Sequence, residues 1–353
     1  MDTKLVSIII PVYNVEAYLQ RSFEALKQQT YSNIEFIIVE DHSTDNSFAI
    51  CQKVAHEDHR FKVFRTPKNC GAGLARQFGI EHSRGEIIGF ADGDDVMMPN
   101  FVEELLAVME RTNADIVCSQ YYFWYENGKI VSPWAVTNEE FIVDSKEGIR
   151  RMVYYDHIGT ELWNKLYRRE IILSKPMFSC HYEDAFVLID YFSVAKTICV
   201  YCMPLYYYFQ RADSQMNLDY SPEKEFYHFK LASCQTLALR KLGYKDRSLS
   251  RKTLRSGIRL MKHCAILSGF KHRYHGSICE IESLARPLLK HLTKELRHYL
   301  RFPDKFEARL IVYVPSLYKV LYVFLIRMFN QKKIKQTLGR YTISSAKILN
   351  KNI

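Results

Sequence analysis

The sequence predicts an α/β fold with a mostly parallel central sheet, joined to a basic, mainly helical C-terminal region. Three observations predict it. Strand-like and helix-like stretches alternate with short connections through the first 125 residues, the pattern of parallel strands linked by crossover helices on both faces of a sheet. Unusual polar residues stand just after the strand-like stretches, where open α/β sheets gather their ligands. The charge also divides along the chain. Residues 1–220 hold 21 Lys+Arg against 31 Asp+Glu, whereas residues 221–353 hold 28 against 8.

The first strand is expected over Leu5–Ile10, followed by Val15, Leu19, Phe23 and Leu26 at helical spacing. Ile34–Val39 reads as a second strand, leading to a helix that Asp45 or Ser43 caps. Phe61–Phe64 is a short strand, Ala72–Ser83 a helix and Glu86–Ala91 a strand. Pro99 opens a helix to about Arg111, and Asp115–Phe123 is a further strand. The segment 116–220 is aromatic and less regular, and from residue 221 the chain reads helical and basic. Leu310–Ile326 is the longest apolar run, but Pro315 and Lys319 interrupt it. A Lys near the middle of a bilayer costs about 2.5–3.5 kcal/mol, so this run is expected to be buried or interfacial rather than spanning.

At 48% hydrophobic and 25% charged residues, the composition is that of an ordinary globular protein and excludes wholesale disorder and a disulfide miniprotein. The length of 353 residues suits two to three domains. Nine scattered cysteines fit reduced thiols, and the lone CxxC of Cys199 and Cys202 has no second pair to complete a zinc site. The N-terminal residues open directly into a strand rather than a secretory signal, so a cytoplasmic location is expected.

The chemistry concentrates at four places. Asp92, Asp94 and Asp95 crowd three carboxylates onto one turn, which suits Mg²⁺ or Mn²⁺ on a diphosphate; the plain alternative is a solvated acidic turn capping the next helix. Asp41, in VEDHSTDNS (39–47), can accept an N–H from a nucleobase on which Tyr13 stacks, or can serve only as a turn residue. GAGLARQFG (71–79) lacks both the third glycine of a dinucleotide fingerprint and the lysine of a P-loop. Its Arg76 can meet a phosphate or sugar; its glycines can equally serve tight packing. Glu183-Asp184 precedes an apolar helical run, where one acid can be a general base or both can belong to a helix cap.

Taken together, SIIIPVYN (7–14), VEDHSTDNS (39–47), NCGAGLARQFGI (69–80), FADGDD (90–95), WNKLYRRE (163–170) and YEDAF (182–186) resemble the inverting family 2 glycosyltransferases, in the right order through about residue 215. The resemblance implies the GT-A fold, with residues 1–115 as a nucleotide-sugar-binding half and 116–220 as an acceptor-binding half. It implies that Pro11, Tyr13 and Asp41 hold the base and ribose of a nucleotide-sugar, usually UDP-linked. Asp92 and Asp94 match the aspartates that bind the divalent ion, Arg76 a basic position near the donor sugar, and Asp184 the catalytic base. Glu40 and His42 stand where the family often has Asp and Gly, and the QxxRW motif of processive synthases is absent.

The implied activity is transfer of one sugar to a glycan or lipid-linked acceptor in cell-surface polysaccharide or lipopolysaccharide synthesis. The basic region 221–353, outside the resemblance, reads either as a docking surface for an anionic inner membrane face or as a helical domain with solvated basic faces. Each Lys or Arg near such a membrane contributes about 1 kcal/mol. The rival readings are a nucleotidyltransferase or inactive nucleotide-sugar binder of the same fold, and a nucleic-acid-binding protein. The last has no reader motif and leaves the acidic turn unexplained.

Overall fold

The computed structural model describes residues 4–211, 221–269, 275–296, 298 and 302–329. The chain forms two compact units, Met1–Ala212 and Asp213–Ile353. The first begins as the alternation predicts: β1 (Val6–Val12), α1 (Glu16–Lys27), β2 (Ile34–Glu40), α2 (Ser47–Glu57), β3 (Phe61–Arg65), α3 (Ala72–His82) and β4 (Ile87–Phe90). Then follow β5 (Val96–Met97), α4 (Phe101–Thr112), β6 (Ile116–Tyr125), β7 (Ile130–Val131), β8 (Glu140–Val143) and α5 (Ser145–Tyr154). β9 (Lys165–Arg168), α6 (Arg169–Leu173), α7 (Glu183–Val194) and β10 (Ile198–Gln210) complete the unit.

One sheet runs in the order β3-β2-β1-β4-β9-β6-β10-β5, with β7 beside β6 and β8 beside β10. β3, β2, β1 and β4 are mutually parallel, as are β6 and β10. β9 joins the two groups, antiparallel to both β4 and β6. Ile8, Ile9 and Ile10 are wholly buried at the centre, which is why β1 reads as an unbroken apolar run instead of an alternating one. The middle segment is more regular than its sequence suggests, because β6, β9 and β10 extend this same sheet. Cys199 and Cys202 are buried in β10, and among the described residues no disulfide forms.

The loops after β1 and β2 are tied together. The Asn14 N–H donates to Ser43 Oγ, Thr44 N–H to Asn14 Oδ1, and Val15 N–H to Ser47 Oγ. Neither expected residue is the N-cap of α2, which is Asn46 without a side-chain cap bond; Asp45 just before it accepts from the Ser47 N–H, and Ser43 is used in this cross-loop tie. The WNKLYRRE motif is structural. Asn164 donates to the Ser119 carbonyl, Lys165 to the Glu161 carbonyl and Asn164 Oδ1, and Arg169 to the Ile80 and Ser83 carbonyls at the end of α3. A cation at that helix C-terminus offsets its exposed carbonyls.

The second unit is helical: α8 (Pro222–Lys241), α9 (Arg247–Gly269), α10 (His275–Leu296), α11 (Phe302–Tyr313) and α12 (Pro315–Phe329). Ser221 caps α8 by accepting from the Lys224 N–H, with Pro222 in the first turn where its missing N–H costs nothing. Phe229, Leu254, Met261, Cys264, Leu289 and Ile311 are among the residues of its core. Within RKTLRSGIRLMK (251–262), Leu254, Ile258 and Met261 turn inward while Lys252, Arg255 and Arg259 are exposed. Pro315 divides the Leu310–Ile326 run between α11 and α12, and among the described residues no helix is long and apolar enough to cross a membrane. The basic stretch 331–340 and the residues of 206–215 beyond Arg211 lie outside the described residues.

Candidate active site

The site is assembled around Arg76, which α3 carries into the interior, only 4% exposed. Its Nη1 donates to Asp184 Oδ1 at 2.8 Å and to Glu183 Oε1 at 3.1 Å, and its Nη2 to Asp92 Oδ1 at 2.8 Å. One guanidinium thus joins the turn after β4 to the first turn of α7, and its planar fork is what lets it hold several carboxylates at once. Tyr182 is the N-cap residue of α7, and the two acids behind it turn to Arg76 in the helix's electropositive first turn.

The glycines ahead of Arg76 explain how this contact forms. Gly71 has φ +85°, and a Cβ on Gly73 would lie 2.1 Å from the Phe178 carbonyl oxygen. The chain leading to Glu183 therefore rests directly on the start of α3. Farther along the helix, a Cβ on Gly79 would lie 2.5 Å from Ile9 in the sheet. The packing alternative for this motif is thus realised, and Arg76 spends its donors on carboxylates of the protein.

Asp41 is buried at the end of β2. It accepts from Thr66 Oγ1 at 2.7 Å, from the Cys70 N–H at 3.0 Å and from the Gly71 N–H at 2.8 Å. In this state it fixes the loop entering α3, and the Cys70 thiol also donates to it. Burial and the Asp41 carboxylate push that thiol up to about 12. Pro11 is half-buried near the end of β1, and Tyr13 just beyond it is 39% exposed. His42 sits at φ +62°, the left-handed region that a glycine adopts freely, and Glu40 is buried in an ion pair with Arg65.

The three acids after β4 have three different surroundings. Asp92 meets Arg76, and Asp94 pairs with Arg211 Nε at 3.1 Å. Asp95 is buried, accepting from the Phe209 N–H at 2.8 Å and the Tyr206 hydroxyl at 3.0 Å. Tyr206 in turn stacks on Trp163 of the WNKLYRRE motif at 4.5 Å. Burial, then the Asp94 and Asp92 charges, push the Asp95 carboxyl well above the usual range. Burial and the Asp92 charge push Asp94 up to about 6, against the pull of Arg211. The Asp184 carboxyl is also raised, by burial first; Arg76 draws it down, and Glu183 and Asp92 add to the rise.

Among the described residues no group of three or more His, Cys, Asp or Glu side chains is placed to hold a metal unaided. The donor set nonetheless fits a hard cation. Asp92 and Asp94 keep about a fifth to a quarter of their side-chain surface exposed, at 27% and 19%. The Asp92 charge raises the cost of ionising Asp94, the condition a divalent ion relieves.

The structure therefore brings Arg76, Asp92 and Asp184 into direct contact, adds Glu183 to them, and places Asp94 beside Asp92. Asp41, Pro11 and Tyr13 stand at the ends of β1 and β2. Arg211 and Arg21 were not legible as site residues. Arg211 ends the aromatic strand β10, and Arg21 of α1 donates to the Asp94 carbonyl while lying 4.4 Å from the Trp124 ring. Neither belongs to a motif, so only three-dimensional contact reveals them.

The class this arrangement defines is that of the GT-A nucleotide-sugar transferase fold. Residues 7–173 match Glycosyl transferase family 2. The chain is similar to EpsH of Bacillus subtilis, 35% identical over 215 residues that cover 59% of this chain and 61% of that protein. It is also similar to WfgD of Escherichia coli, named as UDP-Glc:alpha-D-GlcNAc-diphosphoundecaprenol beta-1,3-glucosyltransferase, at 32% identity over 40% of this chain and 56% of that one. The match thus spans less than two thirds of either relative. In fold it is similar to residues 1–349 of TarS of S. aureus, solved with UDP-GlcNAc, with a TM-score of 0.59 and 18% identity over 90% of this chain and 89% of that one.

Proposed function

We propose that the protein is a metal-dependent inverting glycosyltransferase. It moves one sugar from a UDP-sugar to a hydroxyl of a glycan or lipid-linked acceptor in cell-surface polysaccharide or lipopolysaccharide synthesis. The observation that carries this reading is the Arg76 bridge, which ties an acid suited to the donor diphosphate, Asp92, to an acid suited to deprotonating an acceptor, Asp184. WfgD, by its name, uses UDP-glucose and a diphosphoundecaprenol-linked acceptor, and TarS was solved with UDP-GlcNAc. Both support a UDP-sugar donor here.

In this reading the first 115 residues bind the nucleotide, Pro11, Tyr13 and Asp41 shaping the end that receives base and ribose. Residues 116–220 bind the acceptor. Asp184 takes the proton of the acceptor hydroxyl as that oxygen forms its bond to the anomeric carbon. The bond to the diphosphate breaks, and its electron pair leaves with the nucleoside diphosphate, so the anomeric configuration inverts. Burial raises the Asp184 carboxyl while Arg76 draws it down, a balance that suits a base accepting a proton near neutral pH. Asp94 and Asp92 would hold Mg²⁺ or Mn²⁺, which when bound neutralises charge on the departing diphosphate. The basic residues of 221–353 attach the enzyme to an anionic lipid surface, where a lipid-linked acceptor resides.

A panel of nucleotide-sugars with Mg²⁺ or Mn²⁺ tests the donor assignment by thermal stabilisation. A ligand at a hundredfold excess over its Kd stabilises by about 2.7 kcal/mol. One UDP-sugar is expected to raise Tm several degrees more with the metal than without it. Equal, metal-independent responses to every nucleotide would overturn the reading.

A further inference from the structure

We propose that the outward face of α12 is an interfacial anchor that lies in the surface of an anionic lipid bilayer. This deepens, and rests on, the attachment of residues 221–353 to such a surface. Leu317, Val320, Leu321 and Phe324 recur at i, i+3, i+4 and i+7, the apolar stripe by which a helix normally meets a core. Here the stripe faces outward: Val320 is 68% exposed and Phe324 57%, with Leu317 and Leu321 also exposed. The opposite side of the same helix supplies what the helical core needs, since Tyr318 is buried in it and Lys319 pairs with Glu282. None of the four stripe residues is among those of the unit's core.

Tyr313 and Val314, just ahead of α12, are exposed too, and Lys290 of α10 lies 5.7 Å from the Tyr313 ring. A contiguous apolar patch bordered by cations is the chemistry of a surface-lying amphipathic helix. The charge around it chooses the occupant. Residues 330–353, which follow α12 directly, contain six Lys or Arg and no Asp or Glu. A second copy of this chain would add like charge to like charge, whereas an anionic bilayer complements both the charge and the stripe. Among the described residues α12 runs 15 residues with Lys319 inside it, which suits a helix lying in the plane of the interface.

The test uses the full chain and vesicles of phosphatidylcholine alone or with about one third phosphatidylglycerol, compared at low salt and at 1 M NaCl, where screening leaves a Debye length of about 3 Å. The wild-type chain is expected to bind the anionic vesicles and to retain part of that binding at 1 M NaCl. Val320→Glu with Phe324→Glu should weaken binding about tenfold or more and abolish the salt-resistant part. Lys252→Gln with Arg255→Gln should weaken only the salt-sensitive part. Phe324→Trp, which keeps the stripe apolar, should bind normally and shift its emission to the blue on anionic vesicles. No binding by the wild-type chain would overturn the lipid attachment itself. Normal binding by the double Glu variant would overturn the role of α12 alone and leave the attachment standing. A Glu variant that merely converts a dimer to a monomer, without lipid binding in the parent, would make the stripe a contact between copies and overturn the proposal.

Discussion

Gly73→Ala is the smallest change that separates the packing of this site from its chemistry. A Cβ at this position would stand 2.1 Å from the Phe178 carbonyl oxygen, 3.0 Å from its carbon and 3.1 Å from Glu183 Cγ. Ordinary contact begins at 3.4 Å, so the chain at Phe178 must retreat from α3 by about 1 Å, and a main-chain carbonyl cannot swing aside as a flexible side chain would. The same segment carries Glu183 and Asp184, so the retreat draws both from Arg76. Overpacking of this kind costs about 1–3 kcal/mol, and a displacement of about 1 Å at a reacting group costs on the order of a hundredfold in turnover. In a helix without such a neighbour, the same substitution would instead stabilise by about 0.5–1 kcal/mol. The assay is release of nucleoside diphosphate from the donor that stabilises the wild-type chain, alongside thermal unfolding with and without that donor. The variant should unfold at lower temperature, still respond to donor and metal, and turn over about a hundredfold more slowly. A variant that is more stable than wild type and equally active would refute the close approach of α3 and the chain before α7.

Three further outcomes follow from the charges. Arg76→Met leaves Asp92, Glu183 and Asp184 without their shared cation; it should destabilise by about 3–5 kcal/mol, and the rise of kcat/KM with pH should move to higher pH because Asp184 loses the group that draws it down. Asp94→Ala should abolish the metal-dependent part of donor stabilisation, while nucleotide binding in EDTA stays unchanged, as isothermal calorimetry would show. Asp95 is raised by burial, so the stability it contributes is full below the ordinary carboxyl pKa of about 3.9 and is lost as pH rises through its folded value. Asp95→Asn can still accept from the Phe209 N–H, so Tm measured from pH 4 to pH 8 should gain on wild type as pH rises.

Much of the first unit was legible because its signals are local. β1 through β4 and the helices between them follow from apolar runs and spacing, and polar residues stand after β1, β2 and β4 as expected. The middle of the chain was not. β9 contains the buried Lys165, whose bonds to Glu161 and Asn164 replace the apolar alternation by which a strand is recognised. The site itself was half readable. The acids and Arg76 stand out as residues, but that Arg76 meets Asp92 and Asp184, and that Arg211 meets Asp94, depends on contacts between residues far apart in sequence. Likewise the α12 stripe was seen as an apolar run, and only the fold shows which side of it faces outward.

Asp184 is the proposed proton acceptor of the sugar-transfer reaction. Asp184→Asn keeps the size of the side chain and an oxygen for Arg76 while removing the basic carboxylate. Single-turnover transfer from the stabilising UDP-sugar to an acceptor, measured beside donor affinity, decides the matter. Donor affinity should stay within about threefold of wild type, and transfer should fall on the order of a thousandfold. Transfer by Asp184→Asn at the wild-type rate would contradict the assignment.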